Sequence, residues 1–298
     1  MPTFSVIIAS YNGAGTLPDV LAALAMAEGC GHDIEYLFVD NNSSDETSAL
    51  FGRFIEARQG RVLTETRPGK SHALNCALAK ARGDLIAFLD DDAIVSPKWF
   101  DAWAYACRRY RNAGVFVGAV GPLFLEPPPD WLVHLAKKGM SCASTPHDLR
   151  EGPCSAQYTK GVNWAVRREA IGGALFNVEA NNLIAGSKPV GGQDTEMARR
   201  IVAQGSDAVF VPQAFAQHIV RSHEMTLEAL QERYQRIGRG VAAQRHKKRA
   251  SALQLRVEIA LLHTLRALLF SLGCKRIGAE CLARGAMRSG RLEMIADS

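Results

Sequence analysis

The sequence lacks the features that mark several common classes of protein. Its seven cysteines are odd in number and form no Cys-x-x-Cys pair, which suits reduced thiols better than a zinc site or a disulfide framework. No uncharged run reaches the ~20 residues of a bilayer-spanning helix, and no charged segment with a long apolar run precedes the first strand. The net charge of +5 permits an anionic ligand or membrane surface but does not by itself indicate nucleic acid. We therefore expect a cytoplasmic globular protein with no nucleic-acid partner.

The sequence also lacks the usual signatures of two classes of nucleotide-binding enzyme. Residues 4–10 have the composition of a buried strand, and residues 11–15, Tyr-Asn-Gly-Ala-Gly, have that of a turn. No G-x-G-x-x-G follows this strand, which argues against a dinucleotide-dependent oxidoreductase. The turn also carries no cation, whereas a nucleotidyltransferase of similar topology would place a glycine-rich basic signature there. That second class stays open as an alternative.

The most informative stretch is residues 84–92. An apolar run of strand length, Leu85 to Leu89, ends in the three carboxylates of Asp90, Asp91 and Asp92. The run does not alternate, as expected of a strand covered on both faces, and Ser96-Pro97 predicts the start of a helix. Open α/β sheets bind ligands at the carboxyl ends of their strands. Because adjacent carboxylates repel, they need a divalent cation shared with substrate phosphates or a cluster of hydrogen-bond donors, unless they form a solvated acidic turn.

Strand-like and helix-like segments alternate along the first half of the chain. This order predicts an α/β fold with a doubly wound, mostly parallel sheet, in which polar strand ends converge on one edge. Residues 126–160 show no clear period and predict a long loop, whereas the pattern is helical from Thr226 onward, with helices at 226–249 and 252–272. We therefore predict a nucleotide-binding and catalytic domain at residues 1–225 and a C-terminal helical extension at residues 226–298.

Seven pieces of the sequence resemble glycosyltransferase family 2, and they occur in the family's order over roughly residues 4–240. They are residues 6–12, 39–47, 68–75, 83–92, 161–168 and 192–196, followed by His218 after an apolar segment. The resemblance implies a GT-A fold and the metal-dependent transfer of a sugar from a nucleotide diphosphate, foremost UDP, to a hydroxyl acceptor in polysaccharide or glycoconjugate synthesis. It also implies inversion of the anomeric centre in a single displacement. The sequence departs from the family at Gln193, where Glu is common, and in the loop 174–191, which lacks the usual Gly-Phe-Asp phrase.

The resemblance further implies which residues contact the nucleotide-diphospho-sugar donor. Lys70, beside a glycine, suits the diphosphate, and the residues that follow the first two strands suit the base and ribose. Ordinary alternatives are turn residues, a helix-capping aspartate and a solvated lysine. The predicted donor residues of this group are Ala9, Tyr11, Asn12, Asp40 and Lys70.

The metal site is implied by the D-x-D pattern of residues 90–92. By resemblance, Asp92 holds a divalent ion, Mn²⁺ or Mg²⁺, and His218 completes its shell as a neutral imidazole. Asp90 and Asp91 would lie nearer the ribose or a metal-bound water. The alternative for His218 is a purely structural histidine.

The acceptor side is implied by two further residues. Asp194, at the start of a helix, resembles the family's catalytic base, although an acid favoured by the helix dipole is the alternative. Trp164 is either a wall of the acceptor site or a core tryptophan. A sugar-nucleotide binder without catalytic activity would also retain these residues, and the sequence does not identify the sugar, the acceptor or the linkage.

The C-terminal helices carry a separate hypothesis. The basic run 245–249 and the apolar helix behind it predict peripheral contact, through residues 245–272, with an anionic inner membrane surface that holds a lipid-linked acceptor. The acceptor would then be a saccharide or a lipid-linked saccharide. The alternative is a pair of helices packed on the catalytic domain.

Overall fold

The computed structural model describes residues 1–29, 31–178, 190–244 and 252–296. The strands in this part of the chain are β1 (Phe4–Ser10), β2 (Ile34–Asp40), β3 (Gly60–Thr64), β4 (Leu85–Leu89), β5 (Ala93–Val95), β6 (Ala113–Phe124), β7 (Gly152–Pro153), β8 (Asn163–Arg167) and β9 (Asp207–Val220). The helices are α1 (Leu17–Ala27), α2 (Thr47–Ile55), α3 (Lys70–Leu78), α4 (Trp99–Arg109), α5 (Asp130–Lys137), α6 (Gln193–Ala203), α7 (Leu227–Gln244), α8 (Ala252–Ser271) and α9 (Lys275–Ala296). The predicted basic run 245–249 and residues 179–189 of the loop 174–191 lie outside the described residues.

One mixed sheet organises the fold. Its strand order is β3-β2-β1-β4-β8-β6-β9-β5, and β7 pairs with β9. The first four strands in this order run parallel, β8 runs antiparallel to both of its neighbours, and β6 and β9 are parallel to each other. The prediction of a mostly parallel sheet is therefore confirmed, with β8 as an antiparallel insertion beside β4.

Helices cover both faces of the sheet, which explains why the strands do not alternate. Along β1, Val6 and Ile8 belong to the apolar cluster beneath α1, α2 and α4, whereas Ile7 belongs to the cluster beneath α3 and α6. Successive strand residues point to opposite faces, so a strand between two helical layers needs apolar residues at every position. This covering is the doubly wound arrangement that the sequence predicts.

Three local predictions are wrong. The helix expected at Ser96 begins at Trp99, because residues 93–95 stay extended and pair with β9 as β5. Residues 126–160 are not one loop, since they contain α5 and β7. The sequence also predicts two separate extended pieces at residues 208–211 and 214–220, but these form the single strand β9, whose pairing with β6 shifts register between Gly118 and Ala119.

The C-terminal helices pack on the α/β part of the molecule. Ala279, Leu282 and Ala283 of α9 share an apolar cluster with Leu132 and Leu135 of α5. Helix α8 lies against α9, and Leu255 is its one buried side chain among those that the structure describes. None of the described helices is long and apolar enough to cross a membrane. The division into two domains at residue 225 stays a prediction.

Candidate active site

Polar residues from β1, β2 and β4 meet at the carboxyl edge of the parallel strands. Strands β1 and β2 pair in register to their ends, Ser10 opposite Asp40, and β4 lies on the other side of β1. Because the chain leaves every one of these strands at the same edge, residues 11–12, 40–41 and 90–92 are brought together. This is the convergence that the sequence predicts.

The predicted nucleotide-contacting residues differ in what they leave available for a ligand. Tyr11 is exposed, with 66% of its surface accessible, and offers an aromatic face. Asn12 adopts a positive φ of 54°, and its side-chain oxygen accepts a hydrogen bond from the backbone N–H of Ser44 at 2.9 Å, so this side chain holds two loops together. Asp40 is buried and accepts one hydrogen bond, from the backbone N–H of Ser43 at 2.9 Å. Ala9 lies within β1 and is partly exposed.

Asn41 positions the loop that carries Lys70. Its amide donates to the carbonyls of Glu65 and Arg67 at 2.7 and 2.8 Å, and its oxygen accepts from the backbone N–H of Gly69 at 3.0 Å. The side chain thus ties the end of β2 to the start of α3. The sequence motif contains Asn41, but the sequence analysis gave it no role.

The first two carboxylates of the D-x-D segment have different partners. Lys70 forms an ion pair with Asp90, and although burial opposes the shift, Asp90 and Asp194 raise the pKa of Lys70. Asp91 accepts a hydrogen bond from the hydroxyl of Ser10. Burial raises the pKa of Asp91 to about 6, and the neighbouring carboxylates add to the shift. Asp91 therefore packs inward, while Asp90 faces the cation.

Asp92 and His218 lie side by side, since β5 pairs with β9 directly beyond Asp92. Their Oδ2 and Nε2 atoms are 3.3 Å apart. Burial alone would lower the pKa of His218, but the hydrogen bond and charge of Asp92 raise it. Two buried atoms of this pair, Oδ1 of Asp92 and Nδ1 of His218, have no hydrogen-bond partner among the described residues.

This pair suits two of the ligand positions of a metal site. A carboxylate oxygen and an imidazole nitrogen together suit a divalent transition metal such as Mn²⁺ better than Mg²⁺, which prefers oxygen ligands. No group of three or more Asp, Glu, His or Cys side chains suited to a metal occurs in the part of the chain that the structure describes. Substrate phosphates and water are the usual further ligands of such an ion.

Asp194 is the second residue of α6 and is buried, with 7% of its surface accessible. Its Oδ1 atom has no hydrogen-bond partner within the described ranges. Burial and the nearby Asp90 raise the pKa of Asp194, while Lys70 opposes the shift. The approach of α6 depends on Gly161, because a Cβ atom at that position would lie 2.5 Å from Oδ2 of Asp194 and 3.0 Å from Nζ of Lys70.

Trp164 packs in the core next to the site. It is fully buried on β8, opposite Phe88 of β4, and the two rings stack with their centroids 4.5 Å apart. Phe176 packs edge-on against the same indole ring. The indole N–H is close enough to Asp194 to oppose the rise in the pKa of that carboxyl. A role for Trp164 in the acceptor site stays a prediction.

A cavity of about 520 Å³ begins at Lys70, Asp90, Asp194 and His218 and extends to α7. Its lining also contains cations that the sequence analysis missed, namely Lys160, Arg199, Arg233 and Arg236. One signal was present in the sequence: Arg233 and Arg236 are three residues apart in a helical pattern and so share a face. Nothing in the sequence indicated that this face meets the edge of the sheet.

The fold is that of a class, the GT-A type glycosyltransferases, to which the structural neighbours belong. A mannosyltransferase from Pyrobaculum calidifontis, solved in complex with GDP-Man and Mn²⁺, superposes with a TM-score of 0.64 at 20% identity, covering 97% of this chain and 87% of that one. S. aureus TarS 1-349 in complex with UDP-GlcNAc superposes with a TM-score of 0.56 at 14% identity, covering 99% and 91%. At these identities the likeness is one of fold.

The family follows from the sequence itself. The profile of glycosyl transferase family 2 matches residues 5–172, which is more than half of the chain. The chain therefore belongs to glycosyl transferase family 2.

Curated relatives match shorter segments. Succinoglycan biosynthesis protein ExoO of Rhizobium meliloti is 31% identical over 97 residues, 33% of this chain and 27% of that protein. The Escherichia coli UDP-Glc:alpha-D-GlcNAc-diphosphoundecaprenol beta-1,3-glucosyltransferase WfaP is 34% identical over 93 residues, 31% of this chain and 36% of that protein. Glucosyl-3-phosphoglycerate synthase of Mycobacterium tuberculosis is 28% identical over 106 residues, 34% of this chain and 32% of that protein. The chain thus spans about a third of the length of these relatives.

Proposed function

We propose that this protein is a glycosyltransferase that transfers a sugar from a nucleotide diphosphate to an acceptor hydroxyl, with inversion at the anomeric carbon. The observation that carries the proposal is the position of Asp194. Its carboxylate is buried beside Lys70 and Asp90, has an unpartnered oxygen, and lines a cavity large enough for a saccharide. A buried carboxylate with a raised pKa is a suitable general base near neutral pH.

The proposed reaction is a single displacement. The acceptor oxygen forms a bond to the anomeric carbon while the bond from that carbon to the diphosphate oxygen breaks, and the leaving nucleoside diphosphate takes the bonding electron pair. The acceptor proton passes to Asp194. Because the acceptor attacks the face opposite the leaving group, the configuration inverts and the enzyme needs no covalent intermediate.

Lys70, together with a divalent ion held by Asp92 and His218, would balance the negative charge of the donor diphosphate. Lys70 would contact the diphosphate, and Asp92 and His218 would hold a divalent ion, for which their unpartnered buried atoms are the support. When bound, the ion would supply positive charge to the diphosphate as the leaving nucleotide departs. Asp40 and Tyr11 remain available for the ribose and the base.

We propose UDP as the nucleotide of the donor. The support is that TarS binds UDP and UDP-GlcNAc and that the relative WfaP is a UDP-glucose enzyme by name. The mannosyltransferase complex with GDP-Man and Mn²⁺ names the competing nucleotide and supports the use of manganese. The sequence-based expectation of UDP thus has support in two of these three proteins.

A calorimetric titration joined to a transfer assay tests the site. UDP and GDP, each with and without Mn²⁺, are titrated into the wild type, Asp92→Ala and Asp194→Asn, with the exposed Asp19→Asn as the matched control. We expect manganese-dependent binding of UDP that Asp92→Ala loses and Asp194→Asn retains. Asp194→Asn should lower transfer by about 100-fold or more, since it removes the base and leaves the donor site intact. Near-normal transfer by Asp194→Asn would exclude it as the base, and binding without turnover would indicate a sugar-nucleotide binder.

We also propose that α8 contacts an anionic membrane surface, next to which a lipid-linked acceptor would be presented. The support is an exposed apolar stripe along one side of the helix. Its members are Leu253, Val257, Leu261, Leu265 and Leu268 of α8 and Leu272 just beyond the end of the helix, each between 44% and 72% accessible. The basic residues 245–249, which directly precede α8 in the sequence, supply the complementary charge.

A further inference from the structure

The cavity beside Asp194 is lined by cations from elements other than the D-x-D segment. They come from three separate elements, since Lys160 precedes β8, Arg199 lies on α6, and Arg233 and Arg236 lie on α7. Asp90, Asp194 and Glu224 are the carboxylates of the lining. Because Asp90 already pairs with Lys70, the lining carries a clear excess of positive charge.

These cations differ from other basic residues on the same helices. Arg200 of α6 pairs with Glu196 at 2.7 Å, and Arg239 of α7 pairs with Glu293 at 3.0 Å. By contrast, Lys160, Arg233 and Arg236 form no ion pair with any carboxylate in the described ranges. Helix α7 thus pairs Arg239 with a carboxylate but presents Arg233 and Arg236 to the cavity without one.

Holding like charges together in a concave site is unfavourable. Burial, together with the positive charge of Arg233, lowers the pKa of Lys160 to about 8. A bound anion would relieve this repulsion and favour the charged form of the lysine. An anion with several oxygens, such as a phosphate group, can accept hydrogen bonds from an ammonium and a guanidinium at once.

The position of the cluster assigns it to the acceptor. Lys160 directly precedes Gly161, which contacts the Asp194 carboxylate, and Arg199 lies five residues further along α6, about 7.5 Å by helical rise. In the proposed donor site, Lys70 and the ion that Asp92 and His218 would hold balance the negative charge of the donor diphosphate. The cationic part of the lining is therefore left for the molecule whose hydroxyl reaches Asp194.

We propose that the acceptor is a phosphate-bearing molecule, whose phosphate contacts Lys160 and Arg236 while its hydroxyl points at Asp194. This inference rests on the proposed glycosyl transfer. The phosphate has two conceivable sources, a lipid diphosphate that carries a sugar or a small water-soluble phosphate ester. Arg233 lies between the donor and acceptor regions, because its charge acts on both His218 and Lys160.

A binding measurement tests the site without any need for turnover. Inorganic pyrophosphate is titrated into the full-length protein whose donor site is already saturated with UDP and Mn²⁺. We expect binding that Lys160→Gln and Arg236→Gln each weaken by about 10-fold or more and that Arg236→Lys largely retains, because each removed contact is a charge-assisted hydrogen bond. Arg53→Gln, an exposed arginine on α2, is the control and should bind as the wild type does. Absence of binding, or equal binding by all variants, overturns the proposal whether or not the protein transfers sugar.

A transfer assay then separates acceptor from donor and one source from the other. The acceptor panel contains neutral sugars, soluble sugar phosphates and polyprenyl-diphosphate-linked sugars in detergent. Lys160→Gln and Arg236→Gln should raise the KM of phosphate-bearing acceptors and leave the donor KM and the slow hydrolysis of donor without acceptor unchanged. Use of neutral acceptors alone, or a raised donor KM, overturns the proposal. Absence of donor hydrolysis by the wild type would instead contradict the proposed function.

Discussion

At the scale of single residues, Gly161 sets the distance between Asp194, the proposed base, and the sheet. Its missing side chain allows the Asp194 carboxylate and the Lys70 ammonium to approach the start of β8 together. The burial that raises the pKa of Asp194 results from the same close approach. A methyl group at this position would therefore displace the base rather than remove it.

The variant Gly161→Ala tests this arrangement. We expect kcat to fall by about 10-fold to 100-fold, because a small displacement of a positioned base costs alignment with the acceptor hydroxyl. The melting temperature should change little, since the displaced groups are side-chain ends at a cavity. Gly52→Ala, where a Cβ meets open space in α2, is the control for a glycine-to-alanine change. Wild-type kcat in Gly161→Ala would show that the base tolerates displacement.

Residues at strand ends were predictable, whereas residues whose role depends on distant packing were not. Asp40 and residues 90–92 follow apolar runs directly, so strand periodicity alone placed them at the edge of the sheet. Trp164 was ambiguous because periodicity does not tell which neighbours cover an indole ring. The importance of Lys160 and Arg236 arises from contacts between segments far apart in sequence, which no local pattern records.

At the scale of elements, the loop between β3 and α3 is held by its own ion pair. Glu65 is buried and accepts three hydrogen bonds from Arg67, from the backbone N–H at 2.9 Å and from the guanidinium at 3.0 and 2.7 Å. These hydrogen bonds lower the pKa of Glu65 to about 2, although burial opposes the shift. The loop leads directly to Lys70, so its rigidity bears on the donor site.

The acid dependence of stability tests this loop. A carboxyl whose pKa is lower in the folded than in the unfolded chain stabilises the fold above its unfolded pKa and loses that contribution as pH falls through the folded value. Glu65→Gln should thus cost about 1 kcal/mol of unfolding free energy at pH 6, a modest figure because solvent screens the exposed Arg67. The difference from wild type should shrink between the ordinary value of 4.5 and about 2. Urea unfolding across this range measures it, with the exposed Glu56→Gln as control, and a constant difference would contradict the role of the pair.

At the scale of the whole molecule, the C-terminal helices form two kinds of surface: α9 packs against other helices, and α8 exposes an apolar face. Helix α9 completes the apolar cluster with α5 and approaches α7 closely, since a Cβ on Gly238 of α7 or Gly290 of α9 would overlap the backbone of the other helix. Helix α8 covers α9 on one side and exposes its apolar stripe on the other. Helical periodicity predicted that α7 and α8 form, but which side of α8 stays uncovered depends on how α9 packs.

Substitutions within α8 separate these two surfaces. A chain that ends at residue 251 should melt at a lower temperature, because it uncovers the α5 and α7 surfaces that α9 buries. If this chain no longer bound membranes, the loss could result either from the missing stripe or from the lower stability. The triple variant Val257→Ser, Leu261→Ser and Leu265→Ser changes exposed side chains alone and should keep the wild-type melting temperature.

Sedimentation with vesicles provides the readout for the stripe. The wild type should sediment with phosphatidylglycerol vesicles and less with neutral phosphatidylcholine vesicles, and the triple variant should remain in the supernatant, since three apolar contacts with the bilayer are lost. Leu255→Ser is the matched control, because it makes the same chemical change at the buried face of the helix and should lower the melting temperature instead. A triple variant that still sediments as the wild type does would mean that α8 makes no use of its stripe at a membrane, and that the helix acts through its packing on α9 alone.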